Sequence, residues 1–94
     1  MSQAAELALK SLITIAQGPT GQSEIVADFL LSWWNAEECG GFDKTRLWAV
    51  DTVIAEEMVM VFGLVAGTHS YPDTLGYGKE FQSLIRSWRP KLAA

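Results

Sequence analysis

The chain has 94 residues, of which 49% are hydrophobic and 19% are charged, and its formal net charge at pH 7 is −4. This length predicts one folded domain, residues 1–94, and the composition is too apolar for a disordered chain. The most apolar run, residues 58–66, is far shorter than the roughly 20 residues that a membrane-spanning helix needs, so we expect no membrane span.

The charge is unevenly distributed along the chain. Residues 1–78 contain 3 basic and 10 acidic side chains, whereas residues 79–94 contain 4 basic side chains and 1 acidic one. An acidic protein binds polyanions poorly, because contacts to phosphates need a positive field. We therefore expect nucleic acid not to be a partner, and the basic C-terminal segment is the one counter-argument.

Cysteine usage indicates the cellular compartment. Cys39 is the only cysteine, so an intramolecular disulfide framework is excluded. We see no basic segment followed by a hydrophobic stretch at the start, and we expect no signal peptide. These features predict a protein of the reducing cytoplasm.

The predicted fold class is all-α, with four main helices and one short helix in a small bundle. Helical periodicity dominates the sequence, and strand-like alternation is absent. The first predicted helix covers residues 3–16. Gly18 and Pro19 end it, because glycine is a common C-terminal stop and proline cannot continue the hydrogen-bond ladder.

The second predicted helix begins near residues 20–23, with Ser23 as its N-terminal cap, and stops at Gly40. It carries more large apolar side chains than one buried face can use, and Leu31 and Trp34 fall outside the arc that should pack. Two interpretations stay open. The two side chains pack against other parts of the fold, or they form an exposed anchor at an interface, where tryptophan is enriched.

A short helix over residues 44–50 follows, with Asp43 as its cap, and Asp51 is expected to cap the third main helix. This helix, residues 52–66, is apolar almost all round, which is typical of a central or interfacial helix. Its predicted packing face consists of Ile54, Met58, Val61, Phe62 and Val65. A second apolar stripe consists of Val53, Met60 and Leu64. Because four short neighbours cannot surround such a helix, we expect a homodimer that covers this stripe, Trp34 or both.

The last predicted helix, residues 79–89, is amphipathic and is closed by Pro90. Its packing stripe consists of Phe81, Leu84, Ile85 and Trp88. Its opposite side carries Lys79, Arg86 and Arg89. This basic side is either a solvated face with weak ion pairs or an anion-facing surface for an acidic protein or a nucleic-acid backbone.

No residue pattern predicts catalysis, a cofactor or a metal site. Cys39 and His69 are each the only residue of their type, which is too few for a structural zinc site and leaves a nucleophile–base pair without an orienting group. Two adjacent acidic pairs occur, Glu37–Glu38 and Glu56–Glu57. Neighbouring residues on a helix point about 100° apart, so neither pair forms an acid–base dyad. We expect the protein not to be an enzyme.

Five sequence segments carry a resemblance to a known group of proteins. They are residues 20–23, 27–36, 40–43, 47–51 and 71–77. With these five segments in this order, the chain resembles a group of small uncharacterised proteobacterial proteins of plasmids and integrated elements. The resemblance covers about residues 18–90. The group has no assigned activity, so no functional residue transfers. The resemblance implies an accessory protein of mobile DNA, such as a partner-binding regulator or an inhibitor of a host complex.

The sequence therefore predicts a small cytoplasmic protein-interaction or regulatory module that is homodimeric through apolar helix surfaces. Its predicted partner-binding residues are Leu31, Trp34, Val53, Met60 and Leu64. The alternative is a helical DNA-binding or nucleoprotein-associated factor. In that case Lys79, Arg86 and Arg89 would contact backbone phosphates.

Overall fold

The computed structural model describes residues 2–93. Its four long helices are α1 (Gln3–Ala16), α2 (Gly21–Cys39), α3 (Thr52–Thr68) and α4 (Gly78–Trp88). Three shorter helical segments complete it: a 3-10 helix (Lys44–Ala49), a π-helical turn (Asp73–Tyr77) and the one-turn helix α5 (Pro90–Ala93). No strand occurs in these residues. The all-α prediction with four main helices is confirmed, and the π-helical turn and α5 were not predicted.

The start of α2 differs from the prediction. Thr20, not Ser23, is the N-terminal cap, and its Oγ1 accepts a hydrogen bond of 3.0 Å from the Ser23 backbone N–H. The helix begins at Gly21, so Ser23 already lies in its first turn, where its side chain is buried. Thr20 thereby satisfies one of the N–H groups that have no partner within the helix.

The C-terminal end of α2 is irregular. Asn35 leaves helical geometry, and its Oδ1 accepts a hydrogen bond of 3.2 Å from the Glu38 backbone N–H, which caps a final turn. The helix stops at Gly40 as predicted, with a φ of 97° that favours glycine. The chain then leaves α2 toward the 3-10 helix.

The capping predictions for the next two helices have different outcomes. Asp43 caps the 3-10 helix as predicted, since its Oδ1 accepts a hydrogen bond of 2.9 Å from the Thr45 backbone N–H. Asp51 precedes α3, but its side chain makes no capping bond. Its Oδ2 instead accepts a bond of 3.4 Å from Gln22 Nε2, and its backbone N–H donates to Gln22 Oε1 at 2.7 Å. This exchange fastens the start of α3 to α2.

The end of α3 lies two residues beyond the predicted end. The helix continues through Gly67 to Thr68, and His69 then adopts a left-handed conformation with a φ of 52°. The His69 backbone N–H donates a bond of 3.4 Å to the Val65 carbonyl. A left-handed residue after the last helical one is a common way to end a helix, usually with glycine in that position.

One hydrophobic core joins the four long helices. α1 packs against α2 and α3, and α4 packs against α2. The largest fully buried side chains include Leu9, Leu12, Leu30, Met58 and Phe81. Trp88 Nε1 donates a hydrogen bond of 2.7 Å to the Ala16 carbonyl, which fastens the end of α4 to the end of α1. α2 therefore has neighbours on two sides, whereas α3 packs mainly against one helix.

Among residues 2–93, no single helix is long and apolar enough to cross a membrane. Only α3 together with the segment Asp73–Trp88 reaches the required length and composition, and these two parts are bent by 117°.

Candidate protein-interaction surface

The outward side of α3 carries four of the exposed large apolar side chains of the described chain. Val53 is 67% exposed, Val59 and Phe62 are each 62% exposed, and Met60 is 39% exposed. We call this outward side, marked by these four residues, the α3 face. Only Met58, Val61 and Leu64 of this helix are buried. A monomeric protein seldom leaves so many large apolar side chains in water on one side of one helix, so the α3 face is a candidate contact surface.

The packing around α3 explains why this side stays open. α1 lies along the buried side of α3, and α2 approaches α3 at only a few points. A helix that is apolar all round needs neighbours on most sides to bury itself. The helix has no Lys or Arg, and its only charged residues are Glu56 and Glu57. The α3 face is consequently apolar and, where it is charged, acidic.

An apolar groove runs beside the α3 face. It has a volume of about 640 Å³ and lies between α2, the 3-10 helix and α3. Phe29 and Phe42 form one wall, with their rings edge to face and 5.3 Å apart. Val59 and Phe62 belong to both the α3 face and the groove. A partner that covers the α3 face would therefore also contact the rim of this groove.

The prediction of surface anchors is wrong for two of the five partner-binding residues. Leu31 is fully buried, and α2 packs against both α1 and α4. Leu64 is buried as well, because it lies on the side of α3 that packs into the core. Neither side chain is accessible to a partner without unfolding.

The other three predicted residues lie in different places. Val53 and Met60 are exposed and belong to the α3 face. Trp34 is half-buried and stacks on Phe81 of α4, with ring centroids 5.7 Å apart and an angle of 21° between the rings. The interpretation in which Trp34 packs against another part of the fold is therefore confirmed, and the side chain stays partly exposed to solvent.

Sequence reasoning missed three exposed residues. Val59 was assigned to neither stripe, and Phe62 was predicted to pack into the core. Trp48 of the 3-10 helix was not singled out, although it is 85% exposed. A signal for Trp48 exists in the sequence, because it follows Leu47 directly and one short turn cannot bury two adjacent large side chains. Leu47 lines the groove, and Trp48 is left in water.

The predicted basic surface is smaller than expected. Arg89 was predicted to face an external anion, but it is held within the protein. Its Nη2 donates a hydrogen bond of 2.7 Å to Asp28 Oδ1, and its Nε donates one of 3.0 Å to the Cys39 carbonyl. Arg89 lies beyond the last residue of α4 and has left helical geometry, so it no longer follows the side of the helix that carries the other two cations. Lys79 and Arg86 are exposed on α4.

The remaining reactive side chains are dispersed. The Cys39 thiol is buried, and this burial raises its pKa, more than the nearby Arg89 charge lowers it. His69 is exposed at the end of α3. Within the described part of the chain, no three His, Cys, Asp or Glu side chains are grouped so that they could hold a metal ion.

Comparison with protein families gives one match, to the model of a family of unknown function, DUF7673, over residues 6–89. The chain belongs to DUF7673. This confirms the part of the resemblance that predicts a family without an assigned activity. No curated protein and no solved structure matches the chain. Membership in DUF7673 assigns no role to any residue. The α3 face is therefore a candidate contact surface only because its apolar side chains are exposed.

Proposed function

We propose that the protein is a small, non-catalytic protein-interaction module that forms a homodimer through the α3 face. The observation that carries this proposal is the exposure of Val53, Val59, Met60 and Phe62 on one side of one helix. Covering apolar surface of this kind is the main favourable term in most protein–protein association. In a homodimer, the α3 face of each copy would cover the α3 face of the other.

The chemistry of the α3 face supports a partner with an apolar helix surface. The face has no cation to attract an acidic partner, and its one exposed charge is Glu56. The four exposed apolar side chains of the α3 face are few compared with the roughly 20–30 residues that each partner contributes to a typical stable interface. We therefore expect dimerisation to be reversible and to depend on protein concentration.

The setting that we propose is the bacterial cytoplasm. From the resemblance to small proteobacterial proteins of plasmids and integrated elements we infer an accessory role in mobile DNA, as a regulator or as an inhibitor of a host complex. The single buried thiol of Cys39 suits a reducing compartment. A role on DNA has less support, because Arg89 is held by Asp28 and only two of the three predicted phosphate contacts remain available.

A pair of charge substitutions tests the proposed function. Phe62→Asp should abolish self-association, because it places a second carboxylate on each α3 face and would bury it in the interface without a partner. The matched control is Leu7→Asp on α1, where the leucine is 59% exposed. Circular dichroism should show both variants folded, and light scattering should show loss of the dimer for Phe62→Asp only. Equal behaviour of the two variants would contradict the use of the α3 face.

A further inference from the structure

The apolar groove between α2, the 3-10 helix and α3 has the size and the lining of a small-molecule site. Its volume of about 640 Å³ lies within the range of roughly 300–1,000 Å³ that is usual for ligand pockets, which are lined mainly by apolar and aromatic side chains. Met58 and Val61, both buried in the core, belong to its lining, as does the aromatic wall of Phe29 and Phe42. The groove thus extends from the surface to the hydrophobic core.

The polar side chains that line the groove restrict what it can hold. Within residues 2–93 they are Ser32, Trp33 and Lys44. The Ser32 hydroxyl donates a hydrogen bond of 2.6 Å to the Phe29 carbonyl, and Trp33 Nε1 donates one of 3.0 Å to the Ser70 carbonyl. Both donors are used within the protein. A ligand with hydroxyl or amide groups along its length would lose hydrogen bonds to water without replacement, which is costly. The lining therefore favours a hydrocarbon body.

Lys44 gives the rim of this groove a positive charge. It is the only charged residue among the described residues of the lining, and its side chain is exposed. It takes part in none of the ion pairs within residues 2–93. The carboxylate of its neighbour Asp43 is occupied by Thr45, whose backbone N–H and hydroxyl both donate to Oδ1. A lysine lays its methylene groups along an apolar surface and keeps its ammonium group in water, where an anion can reach it.

We propose that the groove binds a small amphipathic carboxylate of the medium-chain fatty acid class. The hydrocarbon tail lies on the apolar lining, and the carboxylate pairs with the ammonium group of Lys44. Burial of the tail supplies most of the affinity, and the cation selects the sign of the charge on the head group. The inference goes beyond the proposed homodimer and does not depend on it, because Lys44 is not part of the α3 face.

Two probes with hydrocarbon chains of similar length and opposite charge test the proposal. Isothermal titration calorimetry should show that octanoate binds about fivefold or more tightly than octylamine, because only the carboxylate can pair with Lys44. The net charge of the whole chain is −4 and acts in the opposite sense, since it attracts the amine. A preference for octanoate would therefore report the local charge at the groove. Equal binding of the two probes, tighter binding of octylamine, or no binding of octanoate would overturn the proposal.

A pair of charge-neutralising variants tests the role of Lys44. Lys44→Gln should raise the dissociation constant of octanoate about three- to fivefold, because it keeps a polar side chain of similar shape and removes the ion pair. Lys91→Gln is the matched control, since Lys91 is also exposed, has no ion pair within residues 2–93 and changes the net charge by the same amount. This control should leave the dissociation constant unchanged. Equal effects of the two variants would contradict a specific contact at Lys44.

NMR chemical shifts test the location of the bound probe. Octanoate should shift the backbone amide resonances of Phe42 and Leu47, which line the groove and do not belong to the α3 face. It should leave those of Val53 and Leu7 in place, because these exposed residues lie outside the groove. Shifts at Val53 without shifts at Phe42 and Leu47 would show that the probe coats exposed apolar surface, and this would overturn the assignment of the groove.

Discussion

Asp28 and Arg89 lie 61 residues apart in the sequence and are joined by a hydrogen bond of 2.7 Å between the guanidinium and a carboxylate oxygen. The other carboxylate oxygen accepts a bond of 2.6 Å from Arg46. The Asp28 side chain is only 16% exposed. One partly buried carboxylate therefore connects α2 to the 3-10 helix and to the chain beyond α4.

The first prediction concerns this carboxylate. Asp28→Asn should lower the free energy of unfolding by about 2 kcal/mol, because Arg89 loses its anionic partner and Arg46 keeps only the largely exposed carboxylate of Glu24. The measurement is urea denaturation of the variant and the parent chain. The control is Glu24→Gln, whose carboxylate lies 3.7 Å from Arg46 and is largely exposed, and whose loss should cost less than about 1 kcal/mol. Equal effects of the two substitutions would show that Asp28 does not hold these segments together.

The second prediction separates buried from exposed leucine. Leu31→Ala should lower the free energy of unfolding by about 2–5 kcal/mol, because it removes buried methyl groups and leaves a cavity. Leu7→Ala makes the same chemical change at an exposed position and should stay within about 0.5 kcal/mol of the parent chain. Thermal or urea denaturation measures both. A small effect at Leu31 would restore the interpretation of this residue as a surface anchor.

The sequence predicts the helices better than it predicts their environment. The bounds of α1 follow from its apolar periodicity and from Gly18 and Pro19, because these signals are local. The buried side of α3 does not follow from the sequence, because apolar residues occur all round it. The structure buries Leu64 and exposes Phe62, the reverse of the prediction, since the position of α1 decides which arc is covered.

The candidate site was predictable only in part, for the same reason. Val53 and Met60 could be recognised because they lie outside the predicted packing face of their helix. Leu31 looks surplus on a helix with one buried side, but α2 is covered by both α1 and α4. Arg89 looks like part of a helical basic side, but the helix ends one residue before it. Tertiary neighbours and helix ends, which the periodicity does not specify, decide these cases.

The third prediction concerns the stability of the protein at acid pH. The Thr45 hydroxyl, and next the Thr45 backbone N–H, donate hydrogen bonds to Asp43 and hold the pKa of its carboxyl below the ordinary value. The folded-state pKa is thus lower than the unfolded one. The resulting stabilisation is present above the unfolded-state pKa and is lost as the pH falls through the folded-state pKa.

An NMR titration of the Asp43 carboxyl measures this effect. The midpoint should lie below that of an ordinary aspartate, and Thr45→Val should move it upward because the hydroxyl donor is lost. Thr52→Val is a control at another exposed threonine and should leave the midpoint where it is. An unchanged midpoint in Thr45→Val would exclude the hydroxyl as the main cause.

The fourth prediction concerns the reactivity of Cys39. Because burial raises the pKa of this thiol and also shields it, Cys39 should react with Ellman's reagent much more slowly at pH 8 than free glutathione does. Adding urea above the unfolding midpoint should bring the two rates close together. A fast reaction in the folded protein would mean that the C-terminal end of α2 opens readily.

The most direct test of the proposed homodimer is the absolute mass of the unsubstituted chain in solution, measured by light scattering across a concentration series. The α3 face predicts a mass that rises with concentration from the 10.3 kDa of one chain toward twice that value. The rise should persist at high salt, because apolar contact rather than ion pairing drives it. A mass that stays at that of one chain over the whole series would contradict self-association through α3.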